Sequence, residues 1–389
     1  MYIKKPVLII GAIVLVIVSA VLAIGAINPF GFTALGDLIK FTYVSRLIDQ
    51  AYYEDVDSGT YMNTALQGVA AATGDPYTGY LWGESAQEYM EDLEGNYQGI
   101  GIYIENNMED DTITVVSAIA GTPAEAAGIT TGDKILKIND EVFTGQQINE
   151  AANAMRGADG SQVTVTVMRK STGAVEDLTL TRKEIEIQNV TSEMLTGDIG
   201  RIDITQFTPG TADKFVKAYA ELNQKGMKKL VIDLRNNPGG LVDEATEIAN
   251  MFVKDGNVIV YTMDKHGNRT DYPATGDATQ IPIVLLTNQG SASASEILTG
   301  ALKDYGIGYQ IGEKTYGKGV VQGVYNVGKD SVLSVTSARY YTPNGVCIHG
   351  EGIEPDETVP MDVEKYVRLS ALEPENDEQL QAAVQHLSR

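Results

Sequence analysis

Cysteine is nearly missing from this chain: its 389 residues contain one, Cys347, which excludes an intramolecular disulfide framework. Histidine is almost as scarce, and His266, His349 and His386 have no spacing suited to a shared metal ion. Neither zinc nor any other cofactor is expected. Basic side chains are outnumbered, 29 against 52 acidic ones, for a formal net charge of −23. Such a surface repels a phosphate backbone, so nucleic acid is not an expected partner.

What is present begins with an apolar run. Pro6 to Ile27 carries no charge and consists mostly of Ile, Val, Leu and Ala, long enough as a helix to cross a hydrocarbon layer of about 30 Å. Lys4 and Lys5 precede it and the next charge is Asp37, an asymmetry that predicts a cytoplasmic tip at residues 1–5. A membrane anchor over 6–28 follows, with everything beyond it extracytoplasmic. A cleaved signal peptide is the rival, but its apolar region is usually shorter, about 7 to 15 residues.

The length predicts two or three domains. Residues 29–94 read as an N-terminal helical region, with Leu38, Phe41, Val44, Leu47 and Ile48 at helical spacing before the turn Gly74-Asp75-Pro76. Over 95–183 the texture changes to short strands punctuated by glycine, and Val163, Val165 and Val167 alternate with threonines as in a half-buried strand. From 184 to 360 strands and helices alternate, which predicts an α/β layered core. A C-terminal helical region, 361–389, ends in a capped helix over Asp377 to Leu387.

Three segments of the α/β region carry chemistry. Asn288-Gln289-Gly290-Ser291-Ala292-Ser293-Ala294-Ser295-Glu296 leaves an apolar strand and enters a helix, so a serine here has its hydroxyl near free backbone N–H groups. Three serines in five residues leave the nucleophile open, and Ser293 with Glu296 also reads as a capping box. Gly317-Lys318-Gly319 places a lysine beside an apolar strand; it could deprotonate a serine if desolvation kept it neutral, or it could be a surface turn. Asp233-Leu234-Arg235-Asn236-Asn237-Pro238-Gly239-Gly240 leaves a buried strand through two glycines, which would let N–H groups approach a carbonyl or merely form a turn.

In this order, the three segments resemble the carboxyl-terminal processing protease family, and the resemblance covers residues 35–389. It implies a catalytic core of the crotonase and Clp peptidase type. It assigns the nucleophile to Ser293, the middle serine of its run, and the general base to Lys318. Gln322 matches the residue that holds that lysine, and the oxyanion donors map to Ala294 and to Gly239 or Gly240. Residues 95–183 resemble an inserted PDZ domain: Gly99-Ile100-Gly101-Ile102 stands at the carboxylate-binding loop, with Gly121 to Gly128 and Gly132 to Leu136 matching the later pattern. Such a loop offers backbone N–H groups to a chain-terminal carboxylate while the neighbouring strand edge accepts the peptide. By analogy with some relatives, Arg156 is expected to report ligand occupancy.

The expected partners are therefore proteins or peptides with free apolar carboxyl termini. A homodimer through the helical termini is an analogy that the sequence itself does not show. Two rivals stand beside this reading: a Ser-His-Asp hydrolase using His349, and a membrane-tethered PDZ adaptor in which Ser293 is only a cap. Asp304 reads as a structural charge.

Overall fold

The computed structural model describes residues 31–57, 59–108, 110–186, 188–362 and 374–389. The expected anchor at 6–28 lies outside them, and among the described residues no helix is long and apolar enough to cross a membrane. The chain divides into two compact units, residues 1–80 and 81–389.

In the first unit, α1 (Gly31–Ala51) and α2 (Gly59–Ala71) account for much of the expected helical region. Asp75 closes the turn after α2 by accepting from Tyr77 N–H at 3.2 Å and from the Thr78 hydroxyl at 2.6 Å. Strand β1 (Gly79–Trp82) then interrupts the helical stretch, and α3 (Glu84–Glu94) completes it in the second unit. On α1, Leu38, Ile39, Tyr43, Val44, Leu47 and Ile48 are exposed.

The second unit contains two cores. In the smaller, β3 (Ile102–Asn107), β4 (Thr112–Ala118), β5 (Lys134–Ile138), β7 (Gln162–Met168) and β8 (Val175–Thr181) pair in that order, all antiparallel, with β6 (Glu141–Val142) beside β5. Val163, Val165 and Val167 point into this core with Ile113, Val115 and Ile135, as strict alternation requires. Helices α4 (Pro123–Ala126) and α5 (Ile148–Met155) pack against it, and β2 (Asn96–Gly99) pairs with β9 (Lys183–Glu186) as a separate ribbon.

The larger core is layered. Its sheet runs β10 (Val190–Met194), β11 (Ile199–Ile204), β12 (Lys229–Asp233), β15 (Ile283–Thr287), β16 (Gly308–Gly312), β19 (Glu357–Thr358), parallel from β11 onward. Both faces are buried, which is why β12 and β15 read as continuous apolar runs. Leu230, Ile232, Ile283 and Leu285 face α6 (Thr211–Gln224), α7 (Val242–Asn250) and α8 (Ala294–Asp304). Val231, Val284 and Leu286 face α9 (Glu378–Leu387), whose Leu380 and Leu387 each contribute about 2 kcal/mol by burial. A second sheet pairs β13 (Val258–Asp264) with β14 (Arg269–Pro273) and with β18 (Ser331–Tyr341), which also pairs with β17 (Val320–Gly328).

The parallel strands β12, β15 and β16 all point the same way, so the three chemistry-bearing segments leave the sheet together at its carboxyl edge. That is the ordinary place for a site in such a layered fold.

Candidate active site

The three serines after β15 have different surroundings. The Ser291 hydroxyl donates to Leu234 O at 2.7 Å and accepts from Asn288 N–H at 2.9 Å; the Ser295 hydroxyl donates to Asn237 O at 3.0 Å. Both residues are fully buried, whereas Ser293 between them is only half-buried. Two serines stitch this loop to the one after β12, and the third stays half-buried beside them.

Ser293 also holds a backbone conformation, φ 53° and ψ −113°, that L residues rarely adopt. Among the described residues, the other non-glycine positions with positive φ are Asp111, Asn139 and Asn236, types that tolerate it. For a serine the strain costs about 1 to 3 kcal/mol, and the surrounding bonds must hold it. Tyr340, buried on β18, donates its hydroxyl to Ser293 O at 3.0 Å, and Ser293 N–H donates to the Glu296 carboxylate at 2.9 Å. The capping position is therefore real, and it coincides with the strained turn.

Gly239 packs directly on that turn. A Cβ there would fall 2.7 Å from Ser293 Cβ and 2.8 Å from Ala294 N, at a φ of 101°. Its own N–H is held by Asn237 Oδ1 at 2.9 Å, while its carbonyl accepts from Phe207 N–H at 2.8 Å. Gly240 is just as constrained, since a Cβ would lie 2.1 Å from Phe207 O. The loop is fixed further by paired bonds between Asn236 and Asn288, at 2.8 and 2.7 Å.

Lys318, half-buried, lies between β16 and β17 on a loop that the flanking glycines fit to the segment behind it. A Cβ on Gly317 would meet Gly352 N at 2.8 Å, and one on Gly319 would meet His349 N at 2.5 Å. One carboxylate connects this loop to the serine turn: Glu296 Oε2 accepts from both Ser293 N–H and Lys318 N–H, each at 2.9 Å. Gln322 sits on β17 just past a bulge, its amide directed at Thr336 Oγ1 3.4 Å away.

In the smaller core, Gly99 closes β2, Ile100 is buried, and Ile102 opens β3. Gly101, at φ 81°, turns beneath Thr122, where a Cβ would clash at 2.4 Å. Carbonyls of this turn are engaged: Ile100 O accepts from Ala124 N–H at 2.9 Å and Gly101 O from Ile119 N–H at 3.0 Å. β3 is the edge strand of its sheet and pairs with β4 on one side, with α5 nearby.

The profile of peptidase family S41 matches residues 198–359, and a PDZ domain profile matches 114–169. A probable CtpA-like serine protease of Staphylococcus aureus is 36% identical over 372 residues, covering 94% of this chain and 74% of that protein. The protein of the same description from Staphylococcus epidermidis is 34% identical over 343 residues, covering 87% and 68%. The chain belongs to this family. It is a carboxyl-terminal processing serine peptidase with a PDZ domain. A putative S41 protease from Bacteroides fragilis shares the fold, with a TM-score of 0.57 at 17% identity over 89% of this chain and 97% of that one.

Within the peptidase, Arg156 caps α5 and lies against α3, donating to Glu88 at 3.1 Å, with its guanidinium 5.9 Å above the Tyr97 ring. Asp304, which ends α8, accepts from Asn344 N–H at 2.8 Å. Sequence reasoning missed Tyr340, for which no local pattern gives a signal, and took Asn237 only as part of its glycine turn. It noticed Glu296, but only as a cap.

Proposed function

We propose that the peptidase captures a free, apolar carboxyl tail at Gly99–Ile102 and along the edge of β3, and cleaves the attached chain with Ser293 and Lys318. Neutral Lys318 takes the Ser293 proton as the hydroxyl oxygen attacks a peptide carbonyl, and then returns a proton to the leaving amine. Water hydrolyses the acyl-enzyme, Lys318 again accepting a proton. Gln322 holds the lysine, while the N–H groups of Ala294 and Gly240 receive the oxyanion, the Gly239 N–H being already given to Asn237 Oδ1. The observation that carries this reading is the division among the serines: Ser291 and Ser295 are buried and bonded, whereas Ser293 is strained, half-exposed and covered by Gly239.

The uncharged run at 6–28 would anchor the chain with its catalytic part outside the cytoplasm. A second copy would cover the apolar face of α1. One labelling experiment addresses these parts together, using intact cells that carry the full chain and a membrane-impermeant fluorophosphonate. The expected result is label on the peptide containing Ser293, retained in carbonate-washed membranes and absent from Ser293→Ala. Label only after lysis would remove the topology, and label in the soluble fraction would remove the anchor. Sedimentation of the solubilised chain as a monomer would remove the dimer. Silence of folded protein that still binds a tail would favour the adaptor.

A further inference from the structure

Glu296 is fully buried, yet its carboxylate is bonded to no charged side chain: its four donors are three backbone amides and one hydroxyl. Oε1 accepts from the Thr315 hydroxyl at 2.6 Å and from Gly317 N–H at 2.8 Å; Oε2 accepts from Ser293 N–H and Lys318 N–H. Four donors fill the acceptor sites of an ionised carboxylate, and a protonated acid could not accept all four. A helix cap needs only the Ser293 bond. The other three reach 19 to 22 residues along the chain to the loop that carries Lys318.

We infer that Glu296 is the positioning residue of the Ser293–Lys318 centre, its ionised carboxylate setting the distance between the nucleophile turn and the base loop. This rests on the reading of Ser293 and Lys318 given above. Glu296 touches no reacting atom. It holds the backbones from which both reacting side chains extend, so a shift at the carboxylate moves one group relative to the other. Displacements of about 1 Å between reacting groups cost roughly a hundredfold in rate.

Burial raises the Glu296 carboxyl above its ordinary value, against the lowering effect of the Thr315 hydroxyl and of the Gly317, Ser293 and Lys318 amides. The titratable groups on the segments around it are Lys314, paired with Glu354, exposed Tyr316 and Lys318 on the loop itself, Tyr340 bonded to Ser293 O, and His349 and Glu351 on the stretch whose Gly350 N–H donates to Gly317 O at 2.9 Å. As pH falls through the raised value, the carboxylate gains a proton, loses a bond and releases the loop. Below that point kcat should fall with two protons, one on Lys318 and one on Glu296.

The test is kcat against pH for the full chain and for Glu296→Gln and Thr315→Val, with Ser293→Ala and Lys318→Ala in parallel. Glu296→Gln is expected to lose about a hundredfold in kcat with little change in KM, and to fall with one proton only. Thr315→Val keeps the carboxylate but removes a donor from it, so the two-proton region should move to higher pH. If Glu296→Gln does not fold, the Thr315→Val shift decides alone. Undiminished kcat in folded Glu296→Gln, or an unmoved profile in Thr315→Val, overturns the inference while leaving the Ser293–Lys318 reading in place. Retained cleavage by Ser293→Ala or Lys318→Ala would instead remove that reading.

Discussion

Replacing Lys318 by alanine is expected to lower kcat by about a thousandfold or more, with tail affinity essentially unchanged. The serine hydroxyl is a weak nucleophile until a base takes its proton, and in this reading Lys318 is that base. In the same reading tail capture belongs to the PDZ domain, which has its own core around Ile113, Val115 and Ile135, so binding and turnover should separate. Lys318→Arg sharpens the result. Arginine is of similar length but cannot be deprotonated in a protein, so it should be as inactive as alanine. A turn lysine with no chemical duty would accept arginine readily. Fluorescence binding of a tail peptide, beside cleavage rates for the three proteins, reads both quantities; an active arginine variant would remove the general-base role.

The largest effect on stability is expected away from the reacting groups, at Arg235. Its side chain is fully buried between Asp233, at the end of β12, and Asp377, which caps α9 and accepts from Leu380 N–H at 2.9 Å. Two bonds to Asp377, at 2.9 and 2.8 Å, tie the loop that bears Gly239 and Gly240 to the C-terminal helix. Arg235→Met leaves two buried carboxylates without that partner, a loss of about 3 to 5 kcal/mol and on the order of 10 °C in Tm. The pH dependence has a definite sign. Burial alone would raise the Asp233 carboxyl, but Arg235 and Arg201 hold it well below the usual carboxylate range, at about 2. In the native protein its contribution is present above the unfolded value and lost only as pH falls toward about 2. Without Arg235, Arg201 alone opposes burial and the Asp233 carboxyl rises in the fold, so the deficit should be greatest near neutral pH and shrink as pH falls toward the ordinary carboxylate range. Thermal melts at several pH values measure it. A pH-independent deficit, or none, would contradict the role given to Arg235.

Much of this architecture was legible because local pattern and global fold agree. The apolar runs of β12 and β15 are buried on both faces, and Val163, Val165 and Val167 alternate into the smaller core. Asp377 caps α9 as its position before an amphipathic stretch predicts. β1 was missed: four residues between helical patterns carry no distinctive period. The choice among the serines could not be made from local residues, because Ser291 and Ser295 are claimed by carbonyls 57 and 58 residues away. In the sequence, cap and nucleophile stand as alternatives for Ser293. The structure places it at the cap and in a strained turn at once, and the residue that completes the cap also holds the Lys318 loop. That second duty depends on a contact 22 residues distant, which no motif of four residues can contain.

The most direct test of the central claim uses one unstructured protein in two forms, ending in the same apolar tail with its carboxyl group either free or amidated. The portion of the peptidase beginning near Thr33 is incubated with each, with Ser293→Ala as control. Cleavage that requires both Ser293 and the free carboxyl group is the predicted result. Equal cleavage of both forms would contradict selection by the chain terminus, and cleavage of neither, by folded protein that still binds the tail, would contradict the Ser293–Lys318 centre itself.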